Sequence, residues 1–122
     1  MKKILVIEDE LAYLKLLKEQ LTKNGYEVLE ASNGKSGLEM AKSENPDLIL
    51  LDIRMPVMDG MTMLNLLRKG ESDKKAKVIV LTNLEPDDNI IGEVVREKPL
   101  YYFVKSNIKF EDLLDKIKEL LA

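Results

Sequence analysis

Leu48-Ile49-Leu50-Leu51-Asp52 is an unbroken apolar run that ends on a carboxylate, and its reading decides the fold. Continuous rather than alternating hydrophobicity fits a strand covered on both faces, as in a parallel sheet. Three more such runs lie outward from it: Ile4-Leu5-Val6-Ile7 upstream, and Val78-Ile79-Val80-Leu81 and Leu100-Tyr101-Tyr102-Phe103-Val104 downstream. A more polar candidate, Tyr26-Glu27-Val28-Leu29-Glu30, has the half-exposed character of a sheet edge. Between these runs apolar residues recur at helical spacing: Leu11, Leu14, Leu17 and Leu21; Leu38 and Ala41; Met63, Leu64 and Leu67; Ile90, Ile91, Val94 and Val95; Phe110, Leu113, Leu114, Ile117, Leu120 and Leu121. Asn24-Gly25 and Asn45-Pro46 read as closing the first two helices, and Asp59-Gly60 as opening the third.

Five alternating strand and helix units predict an α/β fold, a doubly wound parallel sheet with helices on both faces and right-handed crossovers. The 122 residues, 45% of them apolar, suffice for one core, so a single domain over residues 1–122 is expected, with no output domain. Nineteen basic and 22 acidic residues are interspersed, which leaves no basic stripe for direct nucleic-acid binding. The absence of histidine and cysteine excludes imidazole chemistry, disulfides and thiolate metal sites. The first apolar run stops after four residues at Glu8-Asp9-Glu10, too short for a secretory signal, and no run approaches a membrane span. A cytoplasmic protein without membrane insertion is the expectation.

Sites in open parallel sheets form beyond the carboxyl ends of the strands. There the chain places Glu8 and Asp9 after Ile7, Asp52 after Leu51, Thr82 after Leu81 and Lys105 after Val104. Taken singly, Asp9 or Asp52 reads as a helix N-cap, Thr82 as a turn residue and Lys105 as a solvated surface lysine. Taken together, three carboxylates on one rim repel one another, and Lys105 balances only one of them. Their oxygen donors suit a hard cation, Mg2+ with Mn2+ as a substitute, better than zinc. A carboxylate held beside such a cation can attack phosphorus to form an aspartyl phosphate, its oxygens shared among Mg2+, Lys105 and Thr82. Asp52 is the expected nucleophile, since it ends an interior strand between the acidic pair and Thr82.

With these residues in place, the chain resembles the receiver domain of two-component response regulators along essentially its whole length. The resemblance is carried by Ile4-Leu-Val-Ile-Glu-Asp-Glu10, Pro46-Asp-Leu-Ile-Leu-Leu-Asp-Ile-Arg-Met-Pro-Val-Met-Asp-Gly60, Val78-Ile-Val-Leu-Thr82 and Tyr102-Phe-Val-Lys105. It implies a flavodoxin-like (βα)5 fold with strand order 2-1-3-4-5 and a phosphoacceptor signalling switch rather than an enzyme. It makes Asp52 the phosphorylation site, with Asp9 and Asp52 binding Mg2+ directly, Glu8 acting chiefly through metal-bound water, and the main-chain carbonyl of Arg54 completing the ligands. Lys105 would pair with Asp52 or the phosphoryl group, Thr82 would hydrogen-bond the phosphoryl oxygen, and Tyr102 would be the switch aromatic that follows Thr82. Tyr101 should face the opposite side of the sheet. The implied partners are a sensor histidine kinase or phosphotransfer protein and a downstream protein reading the surface of the fourth helix, fifth strand and fifth helix.

The chain departs from the family pattern at three places. Ser106 stands where a proline commonly follows the lysine through a cis bond; a cis Lys105-Ser106 bond would cost about 2.5–4 kcal/mol, so the expectation is trans, or cis with visible compensation. Asn83 replaces the usual small residue after the threonine, and Lys98-Pro99-Leu100-Tyr101 replaces a Gly-Ala turn. The fifth helix also lacks arginine, which disfavours the dimer of the winged-helix transcription-factor subgroup. Competing readings are a phosphorylation-independent binding module, an aspartyl-phosphate phosphatase and a flavodoxin-like cofactor carrier. Arg54 occupies the general-acid position of the phosphatase, and Glu8-Asp9-Glu10 would repel an anionic cofactor.

Overall fold

All four side chains of β3 (Leu48–Leu51) are buried, as the continuous run requires. In the computed structural model, which describes residues 1–55, 57–70, 76–84, 92, 96 and 99–122, this strand lies at the centre of one sheet. Its companions are β1 (Lys3–Ile7), β2 (Glu27–Ala31), β4 (Val78–Thr82) and β5 (Tyr101–Val104). The order is β2-β1-β3-β4-β5 and every pairing is parallel.

Successive residues of the inner strands enter two separate cores. Ile4, Val6, Leu48, Leu50, Ile79 and Leu81 pack with Leu14, Leu17 and Leu21 of α1 (Leu11–Lys23) and with Leu113 and Ile117 of the C-terminal helix (Phe110–Leu120). Leu5, Ile7, Ile49, Leu51 and Val78 face the other way, toward Ala41 of α2 (Gly34–Glu44) and Met63, Leu64 and Leu67 of α3 (Gly60–Lys69). Each fully buried Leu or Ile contributes about 1.5–3 kcal/mol relative to exposure. Filling both faces is therefore what holds β1, β3 and β4 at the middle of the sheet.

The helix boundaries follow the local chemistry. Asn24 closes α1 with its backbone amide on the Leu21 carbonyl, and the amide of Gly25, at φ +88°, donates to the Thr22 carbonyl. Asn45 closes α2 in the left-handed region at φ 50°. The Asp59 carboxylate accepts from the Thr62 amide at 2.8 Å to open α3, and Asn33 caps α2 through the Ser36 amide at 2.9 Å.

Two expectations are corrected. β5 is half-buried throughout rather than covered on both faces, because among the described residues it is an edge strand hydrogen-bonded to β4 alone. Leu11 is 64% exposed; it begins α1 and lies off the stripe that faces the sheet. The expected edge character of β2 is found, and no peptide bond among the described residues is cis, so Lys105-Ser106 is trans. The expected helix over Ile90, Ile91, Val94 and Val95 lies outside the described residues, and with it most of the surface that helix would share with β5 and the C-terminal helix. Among the described residues no helix is long and apolar enough to cross a membrane.

Candidate functional site

Strand register assembles the site. Ile7 pairs with Leu51, so Glu8 and Asp52 leave neighbouring strands side by side, and the Asp52 amide donates to the Ile7 carbonyl at 3.0 Å. The Glu8 amide donates to the Ala31 carbonyl at 2.9 Å. Leu51 pairs with Val80, which puts Thr82 on the other flank of Asp52, and Thr82 pairs with Val104, the residue before Lys105. All five strand-end residues singled out from the sequence thus meet at one rim.

Carboxylate oxygens of Glu8, Asp9 and Asp52 lie within 4.8 Å of one another. Glu8 and Asp52 are buried while Asp9 is exposed, so the cluster has a closed floor and an open side. Neither Asp9 nor Asp52 serves as a helix cap: Glu10 stands at the N-terminus of α1 without a side-chain cap, and Asp59 opens α3. One Asp52 oxygen accepts from the Arg54 amide at 3.3 Å, which holds the Arg54 backbone against the acceptor carboxylate. Gly60 makes room for that backbone, since a Cβ there would stand 2.2 Å from the Asp52 carbonyl oxygen.

The Lys105 side chain is largely covered, with its Nζ 2.5 Å from Glu8 Oε1 and 3.3 Å from Asp52 Oδ2. The expected pairing with Asp52 is present, and the shorter contact is to Glu8. Burial pushes the Glu8 carboxyl up to about 8 against the pull of Lys105, and the neighbouring Asp52 adds to the rise. Burial alone would lower the lysine, but its bonds to Glu8 and its attraction to Asp52 outweigh this and raise it. The buried Thr82 hydroxyl accepts from the Leu84 amide at 3.3 Å, so a turn role accompanies its place beside Asp52. The Tyr102 hydroxyl donates to the Leu84 carbonyl at 2.6 Å, which ties the aromatic to the segment leaving Thr82. Tyr101 points to the other face, stacked on Phe103 at 5.3 Å.

The donor set passes the test for a hard divalent cation. Three carboxylates oppose one ammonium, and their oxygens, all within 4.8 Å of one another, are the hard donors that such a cation takes. One neighbour was not singled out from the sequence. The ring of Tyr13 lies 4.6 Å from Lys105 Nζ. Its spacing from Leu17 and Leu21, four and eight residues on, was the available signal.

A family model described as response regulator receiver domain matches residues 4–118. The chain belongs to the response regulator receiver family. As a receiver domain of two-component systems it carries in Glu8, Asp9 and Asp52 the acidic pocket typical of phosphorylation. It is 33% identical over 120 residues to sporulation initiation phosphotransferase F of Bacillus subtilis, covering 98% of this chain and 94% of that protein. It is 44% identical over 92 residues to the alkaline phosphatase synthesis transcriptional regulatory protein PhoP of the same organism, a match covering 75% of this chain and only 38% of that longer protein. Among solved structures, the response regulator TrrA of Thermotoga maritima in complex with Mg2+-BeF is 38% identical, with a TM-score of 0.83 over 98% of this chain and 99% of that one.

Proposed function

We propose that this receiver domain is a phosphorylation switch in which Asp52 accepts a phosphoryl group from the phosphohistidine of a sensor histidine kinase or phosphotransfer protein. One observation carries the reading: three carboxylates, one of them on an interior strand end, meet within 4.8 Å with Lys105 and Thr82 beside that same residue. An Asp52 oxygen attacks phosphorus as the bond from phosphorus to the donor imidazole nitrogen breaks, and the imidazole keeps the electron pair and takes up a proton from water.

Glu8, Asp9, Asp52 and the Arg54 carbonyl would hold Mg2+, with Mn2+ as a substitute; the cation supplies neutralisation of the developing negative charge. Lys105 would move its attraction from Asp52 to a phosphoryl oxygen, and the Thr82 hydroxyl would donate to another. The link from Thr82 through Leu84 to Tyr102 then carries the change toward β5 and the surface a downstream protein would read. The chain acts as an acceptor rather than as an enzyme turning over a substrate, and a cytoplasmic location suits a partner kinase. Incubation with a small-molecule phosphodonor and Mg2+ should add one phosphate by intact-mass analysis. No added mass, or equal labelling of Asp52→Asn, would refute the proposal.

A further inference from the structure

Lys105 has a third neighbour besides Glu8 and Asp52. Its Nζ sits over the ring of Tyr13, 4.6 Å from the centroid, inside the range in which an ammonium is attracted to an aromatic face. We propose that Tyr13 is a positioning residue of the acceptor site, its ring holding the Lys105 ammonium beside Asp52 while the two carboxylates change partners. The proposal rests on the phosphoacceptor reading above and goes beyond it.

The physical case begins with the lysine. A four-carbon stem carrying a point charge has many rotamers, and nothing in its shape fixes the ammonium. After Lys105 the backbone runs through a short 3-10 turn, Lys105–Asn107, whose Ser106 and Asn107 are exposed, so no packed ring steadies it from that side. Glu8 and Asp52 supply one hold on it. Those same carboxylates are the groups that would give their charge to Mg2+, and once neutralised they attract the lysine less. The quadrupole of a phenol ring does not depend on what the carboxylates bind. Tyr13 is moreover half-buried and packed against the core that contains Leu17 and Leu21 of its own helix, so its placement is set by the fold and not by the charges of the site. The side chain of Lys105 is only 7% exposed, and desolvation strengthens the attraction between cation and ring.

An anchor of this kind acts on the step in which charge develops on the phosphoryl oxygens, where a small displacement of the neutralising group is costly. It should leave binding of the donor almost untouched. The test compares the intact chain with Tyr13→Phe, Tyr13→Leu and replacement of Tyr13 by pentafluorophenylalanine, which keeps the ring shape and reverses its quadrupole. With acetyl phosphate as donor, Tyr13→Phe should stay within about twofold of the unmodified chain, while the pentafluoro ring lowers the saturating rate about 5- to 30-fold. Tyr13→Leu should fall likewise. The donor concentration at half-maximal rate should not move, with Mg2+ held saturating for every chain. Without any phosphodonor, the ring-current shift of the Lys105 Cε protons should persist when Mg2+ saturates the protein.

Equal saturating rates for the Phe and pentafluoro chains, or loss of the ring-current shift on adding Mg2+, would overturn the role of Tyr13 and leave the phosphoacceptor reading intact. An unmodified chain that takes up no more phosphate than Asp52→Asn would overturn that reading, and this inference with it.

Discussion

Lys105 Nζ is closer to Glu8 than to Asp52, at 2.5 Å against 3.3 Å. The lysine therefore competes directly with any cation that approaches the carboxylates. We expect Lys105→Ala to bind Mg2+ severalfold more tightly while labelling at Asp52 slows. Removing one partner of a buried ion pair ordinarily costs about 3–5 kcal/mol. Glu8 can escape by keeping its proton, so a smaller loss of about 1–2 kcal/mol is expected. Calorimetric Mg2+ titration and urea unfolding measure the two effects; weaker Mg2+ binding in the variant would refute the competition.

The carboxyl of Glu8 is pushed up to about 8 from an ordinary 4.5, chiefly by burial, and this fixes the sign of two pH dependences. Between those values the unfolded chain has released the proton and the folded chain still holds it, so Glu8 lowers the stability of the cation-free protein as pH rises through that window. Binding Mg2+ at the same carboxylate displaces the proton, so affinity should climb from pH 6 toward pH 8 and level off above it. Titrations in buffers of different ionisation enthalpy would reveal the released proton. A pH-independent affinity would contradict the assignment.

Val57 holds φ at 71° although its side chain is β-branched, and it is 77% exposed, so no buried contact compensates it. The left-handed region costs such a residue about 1–3 kcal/mol, whereas glycine there loses only about 0.5–1 kcal/mol of chain entropy. Val57→Gly should therefore raise stability by about 1 kcal/mol, read as a higher melting temperature. An unchanged or lower value would show that the loop relaxes without it.

Gly60 admits no side chain beside Asp52. A Cβ would meet the Asp52 carbonyl oxygen at 2.2 Å and Ile53 Cα at 2.8 Å, both backbone atoms that cannot rotate away. Gly60→Ala should cost about 1–3 kcal/mol by overpacking and reduce Asp52 labelling out of proportion to the unfolded fraction. Labelling that falls only as far as thermal unfolding predicts would limit the effect to stability.

The sheet and its rim were legible because strand periodicity and the residue after each apolar run are local signals. Leu48–Leu51 was read with its observed bounds, and Glu8, Asp9, Asp52, Thr82 and Lys105 converge as the parallel register demands. Depth was harder to read. A five-residue apolar run looks the same on an interior strand and an edge strand, so the half-exposure of β5 depended on how many neighbours it had. The contacts of Lys105 with Tyr13 and Glu8 span most of the chain, and no spacing rule connects residues that far apart. The tight places at Gly34, against the Met58 carbonyl, and at Gly60 likewise exist only once α2, α3 and the loop after β3 are packed.

The amide of Asp52 is a rung of the ladder between β3 and β1, and its carboxylate is attached one residue beyond a fully buried leucine. Chemistry and scaffold thus share a single stretch of backbone, with no flexible arm between them. For heredity this makes the receiver a sensitive reporter of its own interior. On the proposed function, a lesion that loosens Ile7 or Leu51 weakens the signal before it removes the fold.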